Sequence, residues 1–212
     1  MKYFALSVCM LVTTLVFAQK SVYQSDSFEN LSKDHKVLAI LPFAVRLDLE
    51  SQGEVSESQL KDLEKQEGYA VQSALESYFL KRDKRKDYRV EFQNVKNTNA
   101  LLLKAGINLE NIDVKTTQEL SEILGVDGVI TGDVSLNALI SEGVDDSFSF
   151  IDYISGKSDY GRIAIKLSDG ATGKLLWRFE QTIDRKSGKN TNAIIEKMMR
   201  TSTRKFPYDK SK

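Results

Sequence analysis

The sequence predicts an α/β (α+β) fold, a mixed β-sheet with helices packed on it, in the order β-α-β-α-α-β-β-β-α and in a single domain. Three observations carry this expectation. Residues 36–47 (KVLAILPFAVRL) form a near-continuous apolar run, as in a strand buried on both faces. A stretch at helical spacing follows, with Leu60, Leu63, Val71, Leu75, Tyr78 and Phe79 on one side. Residues 125–177 then read as helix end, strand, insertion, strand, tight turn and strand. A strand–helix–strand start followed by a meander gives a mixed sheet.

In chain order, residues 19–34 are polar, lack a period and read as a flexible leader. Pro42 conflicts with the first strand, which must end there, bulge or lie at an edge. Ser56 and Gln59 form a capping box that opens the long helix, and Gly68 weakens its middle by about 1 kcal/mol relative to alanine. Tyr88, Val90 and Phe92 alternate as a second strand. Asn97 or Thr98 is placed to cap a helix over 99–105 that Gly106 closes. A second capping box, Thr116 with Glu119, opens a helix carrying Leu120, Ile123 and Leu124, and Gly125 stops it.

Val126, Val129, Ile130 and Val134 form a β-rich run. Ile163, Ile165 and Leu167 alternate with polar or small neighbours, and residues 168–173 turn the chain back. On the return strand Leu175, Trp177 and Phe179 alternate with Leu176, Arg178 and Glu180. Asn190 or Thr191 caps a last helix with Ile194, Ile195, Met198 and Met199 on its apolar side, and 206–208 (FPY) end the ordered part.

Residues 1–18 read as an export signal. Lys2 supplies positive charge, residues 4–17 are apolar, and Val16-Phe17-Ala18 resembles a signal-peptidase site. The apolar core is short for a membrane span, and no later segment is apolar enough to cross as a helix. The remainder, residues 35–212, is expected to be one domain with a loop insertion at 139–160, large enough to bury about 70% of its unfolded surface. The only cysteine, Cys9, lies inside the signal, too near Met1 for lipidation, so no disulfide, thiol nucleophile or thiolate metal site is expected afterwards.

Charge is balanced, with 30 basic and 30 acidic residues, which argues against nucleic acid as a partner. The basic run Lys81, Arg82, Lys84, Arg85 and Lys86 ends the long helix, where cations complement the helix dipole. A solvated helix end is the plain reading of it; contact with an anionic surface is the functional one. His35 is the single histidine, and there is neither a G-x-S-x-G elbow nor an H-E-x-x-H zinc pattern. Residues 170–174 (GATGK) are too short for a phosphate loop and join two strands, so they read as hairpin chemistry. Asp145, Asp146, Asp152 and Asp159 match no calcium loop. No catalytic residue, metal or cofactor is expected.

The insertion at 139–160 (LISEGVDDSFSFIDYISGKSDY) differs in kind. Phe148, Phe150, Ile151 and Tyr153 lie among acids, serines and glycines, and aromatics in a loop either fold back, meet a partner or touch a membrane surface. These four are the candidate partner-binding residues.

Three motifs carry a family likeness. Leu38-Ala39-Ile40-Leu41-Pro42-Phe43 resembles the VAVLPF opening strand of a group of bacterial envelope proteins. Leu124-Gly125-Val126-Asp127-Gly128-Val129-Ile130-Thr131-Gly132 is similar to their LGVDAVLTG segment, and Asp169 with Thr172-Gly173-Lys174-Leu175-Leu176-Trp177 to their D-x-x-TGE-hydrophobic-W hairpin. The group includes the periplasmic domain of the curli secretion channel subunit, the lipoprotein activators of penicillin-binding proteins and the TolB amino-terminal domain. The chain departs from the channel subunit in lacking a lipidated cysteine and a second long hairpin.

The resemblance implies a non-enzymatic interaction or assembly protein of the periplasm or outer membrane that docks onto envelope proteins. One alternative is a homo-oligomeric envelope assembly related to the curli secretion channel subunit. Another is an unrecognised hydrolase using two carboxylates, one of them in a cleft with a perturbed pKa.

Overall fold

The computed structural model describes residues 21–47, 56–86, 88–136, 161–183 and 191–209. Its strands are β1 (Ser21–Gln24), β2 (Val37–Ile40), β3 (Ala44–Leu47), β4 (Glu91–Phe92), β5 (Gly128–Leu136), β6 (Gly161–Asp169) and β7 (Leu175–Ile183). Its helices are α1 (Phe28–Ser32), α2 (Glu57–Lys86), α3 (Val95–Lys104), α4 (Thr117–Leu124) and α5 (Thr191–Arg204), with a 3₁₀ turn at Ile112–Val114. One mixed sheet runs β1-β7-β6-β5-β2-β4, and β3 also pairs with β5. β2 lies parallel to β4 and β5, whereas β5, β6, β7 and β1 form an antiparallel set. This is the mixed α+β sheet the sequence predicts.

Strand periodicity splits the core between the two faces of the sheet. Leu38 and Ile40 point into a cluster with Phe43, Leu75, Phe79, Ile130, Trp177 and Phe206. Ala39, Leu41 and Val129 join the other cluster, with Leu102 of α3 and Leu120 and Leu124 of α4. Helices therefore cover both faces, which is why residues 37–41 are apolar without a break.

Pro42 interrupts that run. β2 stops at Ile40, β3 begins at Ala44, and both pair with β5. Ile40 faces Ile130 and Ala44 faces Asp133, so β2–β3 carries one more residue than β5 across the gap. The proline, which has no N–H to donate, sits in this bulge. The bulge places Phe43 against Gly132, where a Cβ would stand 2.1 Å from the Phe43 ring and 2.5 Å from the Ala164 carbonyl oxygen. It also brings the strand onto α2. A Cβ at Gly68 would lie 2.3 Å from the Phe43 oxygen, and the Phe43 N–H donates to the Gly68 carbonyl at 3.3 Å. Gly68 thus has a packing reason that outweighs its propensity cost. Gln72, one turn on, donates to the Ile40 carbonyl at 2.7 Å and pairs with Asn99 of α3.

Both predicted capping boxes form. Gln59 Oε1 accepts from the Ser56 N–H at 2.9 Å and Ser56 Oγ from the Gln59 N–H at 3.3 Å. Thr116 and Glu119 exchange the same bonds, and Gly125 ends α4 at φ 65°.

Three expectations are corrected. The flexible leader is part of the fold from Ser21 onward: β1 pairs antiparallel with β7, and α1 buries Phe28. β1 is held by its backbone with all four side chains exposed, so it leaves no apolar pattern to read. Second, α3 begins at Val95 under an Asn94 cap, whose side chain accepts from the Lys96 N–H, and not under Asn97 or Thr98. Thr98 is instead buried and donates to Gln93 Oε1 at 2.8 Å. Third, a bulge on β7 between the Ser168–Leu175 and Leu167–Trp177 pairs turns Leu176 inward and leaves Leu175 36% exposed. Phe206 and Tyr208, beyond the last helix, are both fully buried in the core.

The fit of Phe43 over Gly132 yields a test. Gly132→Ala overpacks this contact and is expected to cost about 1–3 kcal/mol in urea denaturation. A loss below about 0.5 kcal/mol would show that the ring moves aside freely.

Candidate functional site

Phe148, Phe150, Ile151 and Tyr153 lie outside the described residues, as do Asp145, Asp146, Asp152 and Asp159. The structure fixes how their segment is attached. β5 and β6 pair residue by residue from Gly128–Asp169 to Leu136–Gly161. Residues 137–160 therefore leave and re-enter one end of a two-stranded hairpin. The nine-residue strands span roughly 30 Å to the other end.

The basic run is not a uniform surface. Lys81 is exposed, its ammonium 5.5 Å from the centre of the Tyr78 ring. Arg82 is turned inward, its side chain only 18% exposed, and faces the buried Asp209 carboxylate at 3.8 Å. α2 continues through Lys84, Arg85 and Lys86, whose side chains are outside the described set.

The far end of the hairpin holds a polar network that the sequence reading missed. Asp169, the last residue of β6, accepts from the Thr172 N–H at 2.7 Å and from the Thr172 hydroxyl through Oδ2. Its Oδ1 meets His35 Nε2 at 2.8 Å, and His35 Nδ1 meets the Tyr208 hydroxyl at 2.5 Å. The His35 and Asp169 side chains are 6% and 3% exposed. An ionised carboxylate only accepts, so Nε2 carries a proton toward Asp169; in the neutral ring Nδ1 accepts from Tyr208. Burial alone would raise the Asp169 pKa, but Thr172 and then His35 stabilise the carboxylate and leave it below its ordinary value. Burial holds the Tyr208 hydroxyl well above the ordinary tyrosine range, against the lowering pull of Arg89, so it stays a donor.

The turn itself follows hairpin chemistry. Gly173 takes φ 70°, and the Gly170 N–H donates to the Asp127 carbonyl at 2.8 Å. Asp127 in turn accepts from the Lys36 and Val37 N–H groups at 2.7 and 2.8 Å, tying the start of β2 to the start of β5.

Chemically, a carboxylate–imidazole–hydroxyl chain has the order of a nucleophilic relay. Its terminal hydroxyl belongs to Tyr208, which is wholly buried beneath Phe28 and Phe206, at ring separations of 5.2 and 5.4 Å. The chain therefore acts as a clip between the hairpin turn, the entry to β2 and the segment after α5. Beside it opens a broad, shallow depression of about 660 Å³, lined by the α4 face Gln118, Ser121 and Glu122, by Asp34 and Asp127, and by the Asp169 turn. Among the described residues no group of three or more His, Cys, Asp or Glu is arranged to hold a metal ion. The carboxylate reading needs an acid with a raised pKa to donate a proton; Asp169 shifts the other way.

No protein-family model matches the chain, and no curated protein matches it in sequence. Solved structures do. The LpoB C-terminal domain from Salmonella enterica is 11% identical with a TM-score of 0.37, covering 71% of this chain and 84% of its own. Lipoprotein GNA1162 from Neisseria meningitidis is 13% identical with a TM-score of 0.37, over 70% and 80%. The PelC dodecamer from Paraburkholderia phytofirmans is 12% identical with a TM-score of 0.38, over 87% and 96%. All three likenesses are at low TM-score and low identity.

The lowered pKa of Asp169 fixes the sign of a pH effect. A carboxyl held below its unfolded value of about 4 stabilises the fold above that pH, and the contribution is lost as pH falls through the lowered value. In urea titrations from pH 7 downward, the stability gap between wild type and Asp169→Asn is expected to stay open to about pH 4 and close below it. A gap that stays constant at lower pH would remove Asp169 from the acid transition.

Proposed function

We propose that the protein is a non-enzymatic, envelope-associated interaction protein. Exported by residues 1–18, it docks onto an envelope partner through Phe148, Phe150, Ile151 and Tyr153. The observation that carries this reading is the β5–β6 register. Its last pair, Leu136–Gly161, marks where the chain leaves and re-enters the sheet on either side of residues 137–160, the most aromatic-rich loop sequence of the chain. Aromatic anchors on a rigid support are what a protein interface uses, because little freedom is lost when they are buried in a partner.

The single histidine is consistent with this reading, since both its ring nitrogens are engaged in the clip. No helix among the described residues is long and apolar enough to cross a membrane. The three envelope motifs also lie in structural roles. Leu38 to Phe43 forms the central strand and bulge, Gly125 to Gly132 the helix stop and start of β5, and Asp169 to Trp177 the capped hairpin. They speak for a shared scaffold, whereas the segment at 137–160 is where this chain would differ from its relatives.

A photo-crosslinking residue at Phe150 in living cells tests the proposal. Capture of another envelope protein, reduced about tenfold or more when Phe148, Phe150 and Tyr153 are changed to alanine, is the expected result. Unchanged capture by the triple variant would overturn the segment as docking surface. Capture of the chain by itself would favour a homo-oligomeric envelope assembly instead.

A further inference from the structure

We propose that the adjoining ends of α2 and α5 form a basic surface that binds the anionic headgroups of a phospholipid bilayer. The two segments are far apart in sequence. Residues 81–89 hold six basic and two acidic residues, and residues 200–212 hold five and one, in a chain balanced at 30 of each. The fold brings them together. The Tyr88 hydroxyl donates to the Thr203 carbonyl at 3.1 Å and the Arg89 N–H to the Tyr208 carbonyl at 3.1 Å. The Phe206 ring packs 4.6 Å from that of Phe79.

A solvated helix end does not account for this excess of eight cations. A helix C-terminus carries about half a negative charge, so two of them complement about one cation. Nor is the charge spent internally. Arg82 faces the buried Asp209, and Arg89 lies 3.5 Å from Glu29. Lys81, Arg200, Arg204 and Lys205 are exposed and have no ion pair among the described residues. Arg200 and Arg204 stand one turn apart, on the side of α5 opposite the buried Met198, Met199, Ser202 and Thr203. The Asp83 carboxylate accepts the Tyr88 N–H at 3.0 Å. Like charges brought together by folding repel one another, and an anionic partner relieves that repulsion.

Leu80 favours lipid as the partner. It precedes Lys81 in α2 and is 47% exposed. A leucine among cations adds nothing to the binding of a solvated polyanion. At a bilayer it enters the headgroup boundary while the cations meet the phosphates. The surface is independent of the aromatic segment and adds a membrane contact to the docking reading.

The test is vesicle flotation of the protein from Gln19 onward, which keeps every described residue and omits the apolar stretch that would itself enter lipid. One vesicle preparation mixes phosphatidylglycerol with phosphatidylcholine; the other is phosphatidylcholine alone. The expected result is binding to the mixed vesicles only, lost as salt rises from about 0.1 M to about 0.5 M. Lys81→Gln and the double variant Arg200→Gln/Arg204→Gln should each bind more weakly, by about fivefold per cation removed, with thermal unfolding unchanged. Lys104→Gln, on α3, should bind as wild type does, and Leu80→Ser about threefold more weakly. Equal binding to both preparations, unchanged affinity in K81Q or in the double variant, or an equal loss in K104Q would overturn the surface. Unchanged binding in L80S, or equal binding to soluble poly-glutamate, would overturn lipid as the partner. None of these substitutions alters residues 137–160, so the Phe150 crosslink stands or falls separately.

Discussion

Three distant parts of the chain meet at the Asp169 carboxylate. Thr172 holds it within its own hairpin, His35 connects it to the residues that lead into β2, and through His35 it reaches Tyr208 beyond α5. A carboxylate this buried is costly unless its lone pairs are filled, and here both oxygens are engaged. The same atoms decide where the hairpin turns, how β2 enters the sheet and where the chain runs after its last helix. Tyr208 then sets the aromatic packing: its ring meets Phe28 and Phe206, and Phe206 meets Trp177, Phe79 and Tyr88.

The opposite half of the sheet is organised by a steric constraint. Pro42 forces a bulge, the bulge drives Phe43 across β5, and two glycines make room: Gly132 beneath the ring and Gly68 beside its backbone. Neither glycine is needed for a left-handed backbone; each is needed for the space a Cβ would fill. Helix α2 can approach β3 closely for this reason, and Glu64 then accepts the Leu47 N–H at the end of that strand at 2.9 Å. The polar hub thus lies at the start of β5 and the apolar bulge at its middle.

Features written in local periodicity were legible in the sequence. The apolar run at 37–41, both capping boxes, the Gly125 stop and the β6 alternation each follow from residues within a few positions of one another. Features that depend on a distant partner were not. β1 has no buried side chain and exists because β7 offers it a backbone. Leu176 turns inward through a bulge that its alternation does not announce. His35 looked idle because Asp169 and Tyr208 stand 134 and 173 positions away in sequence. Of the candidate sites, the aromatic segment is an expectation from composition that lies outside the described residues, while the depression beside Asp169 needs the fold to assemble α4, the β2 entry and the hairpin turn. One clue was available: the D-x-x-T hairpin motif places an acceptor carboxylate at a turn, but nothing local names its second partner.

The clip between residues 35 and 208 also has a kinetic meaning. Closing a contact across most of the chain carries a loop entropy that local helices and hairpins do not, so it belongs to the late steps of folding. Until it closes, Phe28 lacks the Tyr208 ring, Trp177 lacks Phe206, and the sheet keeps apolar surface open to solvent. The β5–β6–β7 meander can assemble from neighbouring sequence well before that. The same late-closing contact makes the native state slow to reopen, because opening requires the hydrogen-bonded hub and the aromatic cluster to part together.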